Sequence, residues 1–499
     1  MGDDGFVVMT QEHLDQRTTA RRGGLYSAAW ARRVALLFVC LLIFLLVRLP
    51  LWQYPAQTYA DTWGYVEPAM AMLKGDFSFE NWHSERGLTY PLFLMPIYAL
   101  AGEDNQQAVA VVQVFLGLLI MGMLFLLGWK GVGSSWMGAL LGVCYALNVS
   151  SALFEMTVLA ETLTLMLVLV TVLLVLWLGR RVFKSWENSV MLFGLAIVGV
   201  LCALLALSKH LFVGYWLVVL FFLSLCVVAR SVEEPMLGLR QGALRQIYLF
   251  IVPVIAVGAI LFWSLGNWRT YGWFTFNPLS GINLSNVAGG FIEYADSEEC
   301  QDYVHLYLNY RQREVERTGT HSMTIYRAWQ DRIDPKDIRS RVAFERLAFR
   351  CSLEAIMSRP DLYLATVRQS ARLFWDPALY SRNPLTGLPK WLADRMAAAL
   401  QMLRILFYVA TLLWLCMPIM MFSSRRKGRG KDLFARWWES GFLLLSVWYV
   451  YVVASAGEFG ENRRYKAVIE PLIPAAILMI TALFTRIVEQ NLRRGVQRD

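Results

Sequence analysis

The sequence predicts an all-α protein that crosses a membrane about ten times. Only 17% of the 499 residues are charged and 57% are hydrophobic, where water-soluble domains carry about 25% charged residues. The mean hydropathy is positive, +0.44. Apolar runs recur at lengths that fit a hydrocarbon core of about 30 Å, and an unbroken backbone in lipid must be helical to satisfy its own polar groups.

The predicted spans are 34–50, 107–129, 136–151, 157–178, 188–207, 211–229, 247–266, 402–422, 439–456 and 466–485. Residues 1–33 form a polar, partly acidic tail with no small-residue cleavage site after it, so a cleaved signal peptide is not expected. The chain divides into a tail at 1–33, seven spans over 34–266, a polar segment at 267–400, and three spans with a second tail over 401–499. Lys and Arg set the orientation. The tails and alternate short connections hold 22 basic residues, against six (Lys74, Arg86, Lys209, Arg463, Arg464 and Lys466) on the other face. The basic side is predicted to be cytoplasmic. The net charge of +9 is thereby explained by topology, and nucleic acid is not an expected partner; membrane lipid is.

Two segments then fall outside the cytoplasm. The first, 51–106, contains YADTWGYVEPAMAMLKGDFSFENWHSERGLTYP and gathers Asp61, Glu67, Asp76, Glu80, Glu85 and Arg86. Its 90–101 stretch is too short to span and is expected along the interface. The second, 267–400, is expected to be a small, mainly helical domain, with helices near 337–358 and 361–375 ended by Pro360 and Pro377. Five of seven cysteines fall in spans, as small packing residues. Cys300 and Cys351 both lie in the outer segment, where an oxidising compartment lets them pair. The bond closes a loop of about 50 residues, worth roughly 4 kcal/mol in the chain-entropy model.

Charges at the outer ends of spans require a reason, because one at mid-bilayer costs about 2.5–3.5 kcal/mol. Asp61 reads either as a helix N-cap, which Pro68 would interrupt, or as a reactive carboxylate. Glu155 and Glu161 flank the fourth span. On a continuous helix they lie about 120° apart, with Glu161 the deeper and Glu155 a solvated end residue. Lys209 and His210 form a tight turn, either snorkelling or binding phosphate. Arg463 and Arg464 stand on the face where topology disfavours them. Cations of this kind bind an anionic lipid headgroup through charge-assisted hydrogen bonds. A nearby carboxylate can take the proton of a hydroxyl nucleophile.

The order ADTWGYVEPAMAMLKG, ERGLTYPLFLMPIYALAG, VLAETLTLMLVLV, SKHLFVGY, NWRTYGWFTFNPLSGINLSN and ENRRYKAVIEPLIP resembles the GT-C membrane glycosyltransferases. The resemblance is to bacterial relatives of the protein mannosyltransferases and of the lipid A aminoarabinose transferase, and it runs from about residue 34 to 485. It implies transfer of a sugar from a polyprenyl-phosphate carrier to a hydroxyl of an acceptor, with inversion, outside a bacterial inner membrane. By resemblance Asp61 is the catalytic acid of the first loop, and Glu161 the second acidic position with Glu155 in reserve. Glu85 and Arg86 are the acidic–basic pair, and Arg269, Arg463 or Arg464, and Tyr465 join Lys209 and His210 around donor phosphate. No cofactor is implied, and without Asp-x-Asp at 61–63 no metal site is expected. Three rivals are an O-antigen-type ligase or polymerase using a polyprenyl diphosphate, a lipid or solute transporter, and a non-catalytic subunit. The sugar and the acceptor, whether glycan, lipid or protein, carry no sequence signature.

Overall fold

A computed structural model describes residues 11–79, 86–184, 186–233, 238–322, 324–333, 337–377, 390–422 and 430–495. The protein is an all-α polytopic membrane protein. Among the described residues nine helices are long and apolar enough to cross a membrane, or ten if one bent pair counts as a span. The spans are Ala28–Gln53, Gln106–Val132, Glu161–Phe183, Asn188–Ser208, His210–Ser231, Gly242–Tyr271, Asp394–Met421, Leu433–Gly457 and Leu472–Leu492.

Most spans extend several residues beyond the predicted ends, and three boundaries differ for a local reason. The third predicted span is the bent pair, Ser135–Ala146 followed by Val149–Glu155 at 61°. Asn148 restarts the helix there, its side chain accepting from the Ser151 N–H at 3.0 Å, as an N-cap does. The fourth begins at Glu161 rather than 157, because 156–160 is a non-helical connector of turns and bends with one bridge from Thr157 to Gln57. Its backbone is satisfied from outside the helix: Gln57 N donates to Met156 O at 2.9 Å, and Val158 N donates to Gln57 O at 3.0 Å. The last begins at Leu472 rather than 466, since Pro471 disfavours helix at the residue before it. Arg464 and Lys466 therefore stand on a separate short helix, Asn462–Ala467.

The described residues of 54–105, 272–393 and 458–471 meet on one face of the bundle, called the loop face below. Helix Ala60–Leu73 runs through Pro68 instead of stopping at it. Packing compensates for the missing N–H, with Tyr65, Val66, Pro68, Ala69 and Met72 all buried. Its partner is the short apolar helix Thr89–Ala101, which the sequence placed along the interface. One of its faces is in fact core: Tyr90 and Leu94 are fully buried, and the Tyr90 hydroxyl donates to Gln113 of the second span at 2.9 Å.

The 272–377 segment folds as five main helices, Ser280–Ala288, Glu298–Thr318, Thr324–Arg332, Ile338–Ser358 and Pro360–Leu373. They share an apolar core around Tyr303, Tyr307, Ala348 and Ala355. Cys300 and Cys351 are joined as expected, with Cα atoms 5.5 Å apart. This small domain is tied to the bundle through residues 456–462. Tyr363 donates to Ala456 O at 3.1 Å, Ser370 to Glu458 O at 2.6 Å, and Asn462 to Ser370 Oγ at 2.7 Å.

Candidate active site

The site forms because five separate segments meet at the same point of the loop face. Helix Ala60–Leu73 starts after Tyr59, whose N–H donates to Thr62 Oγ1 at 3.0 Å. The same hydroxyl donates to Val158 O at 3.0 Å, fixing the helix start against the connector that leads into Glu161. Asp61 occupies the first turn, where a carboxylate is favoured by the exposed N–H groups. The next segment carries Arg86 across this turn. Gly87 allows it, since a Cβ there would lie 1.8 Å from Leu207 O, so only glycine lets the chain press onto the end of the fifth apolar helix. That helix ends at Ser208, and Lys209 adopts an extended conformation (φ −145°, ψ 128°) before the turn at His210. Arg464 comes from the short helix after the ninth predicted span.

These side chains form one chain of ion pairs. Arg86 Nη2 donates to Asp61 Oδ1 at 2.6 Å. Arg464 bridges the two acids, Nη1 donating to Asp61 Oδ2 and Nε donating to Glu161 Oε1. Lys209 Nζ donates to the same Glu161 oxygen at 2.8 Å and lies 5.2 Å from the centre of the Tyr465 ring. Burial alone would raise the pKa of Asp61; the Arg86 and Arg464 guanidiniums outweigh it and hold the carboxyl well below its usual range. Asp61 is thus ionised at neutral pH and, in this state, a weak base.

The cations of the cluster, but not Asp61 or Glu161, line a cavity of about 180 Å³. Arg86, Lys209, His210 and Arg464 line it, together with the rings of Tyr65 and Tyr465. Further lining comes from Asn283 of the small domain and from Glu458 and Glu461. The two glutamates were not among the sequence candidates, although the argument that singled out Arg463 and Arg464 applies equally to an acid at the end of a span.

The structure therefore brings together Asp61, Glu161, Arg86, Lys209, His210, Arg464 and Tyr465. Of the arginine pair it selects Arg464; Arg463 is partly exposed and does not line the cavity. Arg269 is exposed in the last turn of Ile251–Tyr271 and does not line it either. Glu85 lies outside the described residues. Glu155 was expected as a solvated helix end. It is instead fully buried, in a bidentate pair with Arg48 at 2.9 and 3.0 Å, with Tyr145 donating to it at 2.8 Å. Among the described residues no three His, Cys, Asp or Glu side chains group closely enough to hold a metal ion.

No protein-family model and no curated protein matches the chain. Two solved structures do, both of an oligosaccharyltransferase from Archaeoglobus fulgidus. One is the archaeal oligosaccharyltransferase AglB in complex with an inhibitory peptide and a dolichol-phosphate, matched with a TM-score of 0.45 at 12% identity over 95% of this chain and 52% of that one. The other is tethered to an acceptor peptide through a disulfide bond, matched with a TM-score of 0.33 at 13% identity over 88% of this chain and 63% of that one. The chain thus spans about half the length of the first structure and under two thirds of the second.

Proposed function

We propose that the protein is a GT-C-type membrane glycosyltransferase that moves a sugar from a polyprenyl-phosphate carrier to a hydroxyl of an extracytoplasmic acceptor. The observation that carries this reading is the convergence of Arg86, Lys209 and Arg464, from three distant segments, on one wall of a cavity beside Asp61. The order of motifs in the sequence supports the same class.

The site suits transfer from a phosphate ester. Arg86, Arg464 and Lys209 offer charge-assisted donors to phosphate oxygens. A phosphate that takes the Arg86 and Arg464 donors takes them from Asp61, so donor binding turns a weakly basic carboxylate into a stronger base. The acceptor hydroxyl then attacks the anomeric carbon, and its proton passes to Asp61. The bond from that carbon to the phosphate oxygen breaks, its electron pair stays on the oxygen, and the configuration inverts. Negative charge grows on the departing phosphate, where the preorganised cations stabilise it. Glu161 holds Arg464 and Lys209 in place through Oε1 and is a positioning residue.

The test is mass spectrometry of the polyprenyl lipids in cells lacking the protein. The expected result is accumulation of one sugar linked to polyprenyl monophosphate. Accumulation of a diphosphate-linked glycan would replace this reading with that of a ligase, and an unchanged lipid profile would end both.

A further inference from the structure

Resting on the reading above, we infer that the cavity's other polar groups, Glu458 with Asn283 and Glu461, form a subsite for one hydroxyl-bearing sugar ring, and that Glu458 selects an uncharged sugar. The cavity has two kinds of lining. Arg86, Lys209 and Arg464 suit phosphate; Glu461, whose carboxylate pairs with Arg464 at 3.5 Å, offers phosphate no donor, and Glu458 and Asn283 bring no positive charge to it. Their groups suit hydroxyls, and Tyr65 and Tyr465 line the same space. The volume of about 180 Å³ is that of a single ring, since a cavity of about 150 Å³ takes up one benzene.

Glu458 is held for such a task. It is 3% exposed, and no Lys, Arg or His among the described residues pairs with it. Oε1 accepts from the Phe459 N–H at 3.1 Å and from Asn286 Nδ2 at 3.2 Å, while Oε2 makes no hydrogen bond among the described residues. Its backbone carbonyl accepts from Ser370 and from Asn462, which anchors it to the small domain. Burial, then the nearby Glu461 charge, push its pKa well above the usual carboxyl value. A protonated carboxyl both donates and accepts, as a sugar hydroxyl does. An ammonium group in the same place would instead require the ionised form. The charged or titratable groups around it are Glu461, Arg464 and Tyr465 on its own segment, Tyr326 and His321 from the small domain, and the Lys209–His210 turn.

The full-length protein in lipid nanodiscs tests this with named probes: undecaprenyl phosphate without sugar, the same lipid carrying glucose, mannose or galactose, and the same lipid carrying glucosamine with a free amine. At least one neutral-sugar lipid is expected to bind about tenfold or more tighter than bare undecaprenyl phosphate. Glu458→Ala should erase about fivefold or more of that gain, the lower end for one buried polar partner left unmet, with the bare lipid bound as before. In the wild type the gain should decline as rising pH ionises Glu458; Glu458→Gln, which keeps the Oε1 contacts and a neutral donor, should retain the gain within about threefold without that decline. A preference for glucosamine, no gain from any sugar, or equal losses for bare and sugar-bearing lipid in Glu458→Ala would each overturn the subsite. Failure of bare undecaprenyl phosphate to bind is a separate result, which removes the lipid-phosphate reading and the subsite with it.

Discussion

Two clusters of buried charge stand near the loop face, and they are built on opposite plans. In the first, Arg48 meets Glu155 with two parallel hydrogen bonds and gives its remaining nitrogen to Ala146 O. Tyr145 completes the carboxylate, and the guanidinium lies 4.1 Å over the Phe44 ring. Both charged residues are fully buried, and neither lines the cavity. This cluster joins the first span to the bend between Ser135–Ala146 and Val149–Glu155, and a bent helix in lipid needs such a brace. In the second, Arg86, Lys209 and Arg464 share Asp61 and Glu161, with Glu461 a further 3.5 Å partner of Arg464. Glu161 Oε2 is buried with no hydrogen-bond partner among the described residues, and the cations face open volume. Saturation marks the structural cluster, and unfinished coordination beside a cavity marks the chemical one.

Breaking the first cluster should have the larger consequence. Removing one member of a buried pair leaves an unpaired charge, at about 3–5 kcal/mol. Arg48→Ala and Glu155→Ala should therefore give little folded protein by size-exclusion in detergent. Replacing both at once, Arg48→Met with Glu155→Leu, should recover much of the loss, because the pair's net worth is small once both charges go. Gly117→Ala probes the same place, since its Cβ would fall 2.5 Å from Glu155 Oε1. It should lower the melting temperature by an amount equivalent to about 1–3 kcal/mol. Wild-type expression of Arg48→Ala would show that the first cluster is not a brace.

The second cluster should tolerate change in stability and lose activity. Asp61→Asn removes the base, which typically costs about 10²–10⁴-fold in rate, and the protein should still elute as a monodisperse peak. Arg464→Lys keeps the charge and loses the planar fork that bridges Asp61 and Glu161; a loss of about 10²–10³-fold is expected for one phosphate-stabilising donor. Undecaprenyl phosphate should raise the melting temperature of the wild type and have a smaller effect on Arg464→Lys. Full turnover by purified Asp61→Asn, supplied with a donor lipid, would remove Asp61 from the chemistry.

The contrast also explains what the sequence could and could not reveal. The spans were legible because apolar runs dictate them, and Asp61, Arg86, Lys209 and Arg464 were legible because charge is rare at their positions. Glu155 and Glu161 were separated for the wrong reason. Rotation along a continuous helix was the argument, whereas the helix is interrupted at 156–160 by backbone bonds to Gln57. That bridge is made by a residue about 100 positions away, which periodicity cannot register. The role of Glu155 stayed hidden likewise, because its partner Arg48 reads as the end of an apolar run. Glu458 and Glu461 acquire meaning only through Asn286 and Ser370 of the small domain and through a cavity built by distant segments.

The last prediction concerns Glu458, a cavity carboxyl outside both clusters, and it is read by pH. A carboxyl whose folded pKa is raised binds its proton more tightly folded than unfolded. Its penalty is absent below the ordinary carboxyl value, grows as pH rises through the interval up to the raised folded value, and is constant above that. Each unit in that interval is worth about 1.4 kcal/mol. Glu458→Gln cannot ionise, so its melting temperature should match the wild type in acid and exceed it increasingly as pH rises, until the difference levels off. Glu155 makes a useful contrast, because replacing it by Gln takes a charge from Arg48 and should destabilise at neutral pH instead. A Glu458→Gln curve parallel to the wild type from acid to alkaline pH would mean that Glu458 titrates as an ordinary carboxyl. Its proton could then not be what distinguishes one wall of the cavity from the other.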